Sequence, residues 1–180
     1  MLAVDFKREY PLGAIILNAF WAVVLGYFAL RFDKDPEECM ASDETDAKFH
    51  QGDQDSAFVD VGADFRYFFE IACFGHVAQV ALGVLTQLPL QREIRHLAFL
   101  LIALLGYAIF MAWIWGFYCR MSHEGRVCSG DFLDDGASEE GYLIEQGMFI
   151  KWATIVLLAL ATAAMGLVLF GVLAAKPRHN

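Results

Sequence analysis

Glu70, His76 and Gln79 stand inside the stretch Phe68 to Gly83, FFEIACFGHVAQVALG, which is otherwise greasy enough to lie in a bilayer. A carboxylate in such a place can pair with a cation or pass a proton along a route. An imidazole can ligate haem iron. All three side chains can also simply hold helices together by hydrogen bonds. Glu70 follows Arg66 by four residues, which puts both on one helix face and favours a local ion pair. Lys151 enters another apolar block at similar depth and is a second candidate partner for Glu70. His76 lies deeper. Haem would need a second axial His or Met at matching depth, and Met111 is the one Met near the middle of a neighbouring block. His96 falls at the far end of its block, and His50 and His123 lie in polar segments. The simplest reading makes His76, Gln79 and Asn18 interhelical hydrogen-bonding groups. His76 and Gln79 are the residues to hold a cofactor such as haem or a quinone, if there is one, but none is expected.

Four apolar blocks must position these residues: 12–32, 66–88, 97–119 and 148–175. Each is long enough to cross a hydrocarbon core of about 30 Å. Hydrophobic residues make up 58% of the chain and charged residues 19%, against about 25% charged in a soluble domain. The blocks are apolar on every face, so lipid rather than water must surround them. The first is read as a retained span, because its apolar run is too long for a signal peptide and no Ala-x-Ala site follows. The expected fold is an all-α membrane protein, a single four-helix bundle with a small cap formed by two acidic outer loops, 33–65 and 120–147.

The charges are divided between two sides. The short segments around Lys7, Arg8, Arg92, Arg95, Lys176 and Arg178 are net positive, whereas the long connections, counted with their flanking charges over 31–66 and 118–151, hold eighteen acidic residues against seven basic ones. Short basic loops stay in the cytoplasm. Both termini are therefore expected in the cytosol and both long loops outside it, in the plasma membrane or an endomembrane, with the mitochondrial inner membrane as the alternative. An acidic balance of −9 excludes nucleic acid as a partner.

Small residues at helical spacing mark the surfaces that should pack, because close approach holds helices together in lipid. On the second block these are Ala72, Gly75 and Gly83, with Gln79 on the same stripe; on the fourth they are Ala159, Ala163 and Gly166. Aromatic residues crowd the block ends. Tyr67, Phe68, Phe69, Trp113, Trp115, Tyr118, Phe149 and Trp152 read as a belt at head-group depth. In the first outer loop, Phe58 to Val61 alternates enough for a short edge strand.

Of four cysteines, Cys73 lies within a block and reads as a small buried hydrophobe. Cys39, Cys119 and Cys128 lie on the oxidising side, where at most one pair can form among three. Cys39–Cys128 would join the two loops and Cys119–Cys128 would close one of them. The first is preferred, since Cys119 sits at the membrane edge and can bury its thiol.

The four blocks, a Cys after the first in DPEECMA, VDVGADFRYFF leading into the second and RMSHEGRVCSGDFL after the third form a layout that resembles the small tetraspan proteins of protists, themselves similar to the MARVEL and claudin-like group. The resemblance implies a non-enzymatic membrane organiser or accessory subunit and supplies no catalytic residue. The partners expected are membrane lipids, some of them bound, and other membrane proteins or a homo-oligomer. The alternatives are an ion- or proton-conducting or cofactor-binding bundle built on Glu70, His76 and Gln79, and a supernumerary subunit of a respiratory complex.

Overall fold

The computed structural model describes residues 10–32, 39–42, 49–51, 58–89, 91–133 and 141–174. The chain is mostly helical. Helix α1 spans Leu12–Phe32, α2 Val61–Thr86, α3 Arg92–Met121, α4 His123–Cys128 and α5 Ile144–Ala174. Among the described residues, three helical stretches, Leu12–Arg31, Val61–Thr86 and Arg92–Met121, are long and apolar enough to cross a membrane. At 1.5 Å per residue, the 26 residues of α2 reach about 39 Å. Their outward faces carry large exposed apolar side chains such as Leu12, Phe20, Val23, Phe74, Leu100 and Leu104.

The helices outrun the apolar blocks at four ends, and polar capping explains one of them. The second block begins at Arg66, but α2 begins at Val61, where the Asp60 carboxylate accepts a hydrogen bond from the Ala63 N–H at 2.8 Å. That bond satisfies an amide that the first turn leaves without a partner. Helix α3 starts at Arg92 and ends at Met121, wider than 97–119 on both sides. Helix α5 begins at Ile144, one turn before the fourth block.

An all-α description needs one correction, because the chain between α1 and α2 contributes a three-stranded antiparallel sheet. Strands β1 (Cys39–Ser42), β2 (Phe49–Gln51) and β3 (Phe58–Asp60) lie in the order β2-β1-β3. Ala41 faces Phe49 on one side and Val59 on the other. Strand β3 is the edge strand expected near Phe58, whereas β1 and β2, of four and three residues, carry too little alternation to be recognised in sequence. Here the central strand is anchored by burial instead, since Cys39 and Ala41 are wholly inaccessible. A disulfide joins Cys39 to Cys128 of α4 across 89 residues of chain. Cys73 and Cys119 remain free.

The aromatic residues at the block ends divide into two sets. Tyr67, Tyr118 and Trp152 point outward, as a belt requires, but Phe68, Phe69 and Trp113 are buried core residues. Phe149 packs with them. Its ring lies 4.5 Å from Phe28 and 5.9 Å from Phe69. Phe68 meets Trp113 edge-on at 5.1 Å. The core is therefore concentrated at the end of the helices beneath the sheet and α4, where Val127, Cys128, Leu143 and Ile150 complete it.

Candidate functional site

Two polar constellations stand out, one under the sheet and one among the helices. The first centres on Arg120, in the last turn of α3, whose side chain is wholly buried. Its Nε donates to the Gly147 carbonyl at 3.0 Å. Its Nη2 and Nη1 donate to the two oxygens of Asp131 at 2.6 and 3.2 Å. Such a two-pronged pair is the strongest arrangement a guanidinium makes. Gly147 is required beside it, because a Cβ there would stand 3.0 Å from Arg120 Nε and 2.5 Å from Ser129 Cβ. Burial alone would raise the pKa of Asp131. The hydrogen bond and charge of Arg120, with the charges of Lys151 and Arg126, outweigh it and hold the carboxyl below its ordinary value. Helix α4 is capped by Ser122, whose Oγ accepts from the Gly125 N–H at 3.1 Å. Sequence reasoning assigned Arg120 to a polar loop and missed this clamp. A lone Arg next to an apolar block carries no signal of its partner.

The second constellation gathers His76 and Gln79 with two residues from other helices. His76 Nδ1 lies 2.7 Å from Asn18 Oδ1 of α1. Asn18 Nδ2 donates to the Ala14 carbonyl at 2.8 Å, which leaves Oδ1 as the acceptor toward the ring. On this network Nδ1 carries the proton and Nε2 is a bare acceptor. Nε2 is buried without a hydrogen-bond partner, and so is Thr154 Oγ1 of α5. A buried polar atom left so costs about 1–3 kcal/mol. Gln79 Nε2 donates to the Ile102 carbonyl of α3 at 3.2 Å. All four residues line one cavity of about 340 Å³, whose other walls include Trp21, Ile109, Phe110 and Trp113. Trp21 stacks against the His76 ring at 6.4 Å.

The structure distributes the other candidates as follows. Glu70, Arg66 and Lys151 are half-buried near the sheet end, and Lys151 lies close enough to Asp131 for its charge to be felt there. Ion pairs join Arg31 to Glu145, and Arg120 and Arg126 to Asp131. Met111 is exposed. Among the described residues, no group of three His, Cys, Asp or Glu side chains gathers as a metal set. Ala72, Gln79 and Gly83 are buried on α2. Gly75 meets α3 so closely that a Cβ would stand 2.6 Å from Ile109 Cγ1. Ala159, Ala163 and Gly166 are exposed on α5.

The chain matches no family model, no curated protein and no solved structure.

Proposed function

We propose that this chain is a non-enzymatic four-span membrane protein, a structural or accessory subunit that associates sideways with a second copy or with a larger membrane assembly. In this reading α5 is the fourth span, both termini are cytosolic, and the sheet and α4 form a disulfide-tied cap on the other side. The observation that carries it is the far half of α5. Beyond Leu157 every described side chain of that helix is exposed, including Leu158, Ala159, Leu160, Thr162, Ala163 and Gly166. A bundle that served only itself would bury its small residues between its own helices. Here they remain on an open face, where close approach of another helix needs them. The layout that resembles protist tetraspan proteins agrees with such a role.

Extraction of native membranes in a mild detergent, followed by mass measurement, tests the proposal. The expected particle is heavier than one chain of 20.1 kDa with its detergent. Replacing Ala159 and Ala163 together by Leu should return it to a single chain with the disulfide intact. A lone chain from native membranes, with no companion, would refute the role. The cavity around His76 favours a second reading, the binding of a small molecule, which is taken up next.

A further inference from the structure

We propose that the cavity lined by Asn18, His76, Gln79 and Thr154 binds a neutral hydrophobic molecule bearing a hydroxyl group, taken up sideways from the membrane. This goes beyond lateral association and rests only on the helices lying in lipid. Two atoms set the chemistry. His76 Nε2 is a bare acceptor, because Nδ1–H is already given to Asn18 Oδ1. It demands a donor, which a ketone, quinone or ester carbonyl cannot supply. Thr154 Oγ1 is equally without a partner. Threonines elsewhere in the helices turn back on their own turn: Thr162 Oγ1 donates to the Leu158 carbonyl at 2.8 Å, and Thr86 Oγ1 to the Gly83 carbonyl at 2.7 Å. Thr154 does not, although it is only 1% exposed. A hydroxyl answers both demands, donating to His76 Nε2 and accepting from Thr154.

The lining also disfavours ionised heads. No Asp, Glu, Lys or Arg lines the cavity, so neither an ammonium nor a carboxylate head would find a counterion there. The walls are apolar and aromatic, as in most small-molecule sites, with few polar groups to fix orientation. The rim is formed by Leu17, Phe110, Ile114 and Leu158, all exposed apolar side chains. The ligand's apolar body can therefore extend past the mouth into lipid. A sterol-like alcohol and a hydroquinone share this chemistry.

The test reconstitutes the full chain in phosphatidylcholine vesicles and labels it with a sterol carrying a photoreactive diazirine. Peptide mapping should place the label on residues around the cavity. Competition by the free sterol should be about tenfold stronger than by its methyl ether, the cost of losing one hydrogen bond. A hydroquinone should likewise outcompete its quinone, and the stronger of the two alcohols identifies the source. Thr154→Val, which preserves shape, should weaken labelling by up to about tenfold. His76→Phe should erase the preference for alcohol over ether. If that variant fails to fold, the ether comparison and Thr154→Val still decide. Equal competition by alcohol and ether, a quinone stronger than its hydroquinone, or no label at the cavity would each overturn the inference. Resistance of the chain to alkaline extraction tests its membrane placement separately.

Discussion

Removing Asp131 alone should hurt more than removing Asp131 and Arg120 together. Arg120 is wholly buried, whereas the Asp131 side chain is 25% exposed. In Asp131→Ala the guanidinium loses both carboxylate bonds and stays in the interior without compensation, which costs about 3–5 kcal/mol. In Arg120→Met the buried charge disappears at nearly constant volume. Asp131 can rehydrate and still faces Arg126 at 3.5 Å. What remains is the Gly147 carbonyl without its donor, about 1–3 kcal/mol. Adding Arg120→Met to Asp131→Ala should therefore restore stability relative to Asp131→Ala alone, with a coupling of about 3 kcal/mol or more, larger than the loss from Arg120→Met by itself. Reversible unfolding in mixed micelles, followed by tryptophan fluorescence through the buried Trp113, measures each corner of this cycle. If the double variant loses the sum of the two single losses, the charge of Arg120 is not what Asp131 compensates, and the reasoning fails.

The same carboxylate predicts a pH dependence. Its folded pKa lies below the ordinary 3.8, so its stabilising contribution is full above that value and is lost as pH falls through the lower, folded one. The melting temperature of the wild type should hold to about pH 4 and fall below it, and in Asp131→Asn the part of that fall due to this group should vanish. Between α2 and α3, Gly75→Ala should cost about 1–3 kcal/mol by overpacking against Ile109. Combined with Ile109→Ala, which removes both Cγ1 and Cδ1, it should cost less than the sum of the two single losses in the same unfolding assay.

The residue types of the chain are enough to mark three long apolar helices, since a run of some twenty apolar residues has few other stable destinations. They also marked Cys39 and Cys128 as the natural pair, because compartment and parity leave few choices, and Phe58 as the start of a strand. His76 and Gln79 were visible as oddities within an apolar stretch. What they face was not, because Asn18 and Ile102, to which they bond, and Thr154, which shares their cavity, come from three other helices. Periodicity along one helix says which residues share a face, but it does not say which neighbour that face meets. The division of the aromatic residues into core and rim, the sheet around β1 and the burial of Arg120 against Asp131 and Gly147 have the same cause. Each depends on contacts between segments distant in the chain, whose geometry only tertiary packing decides.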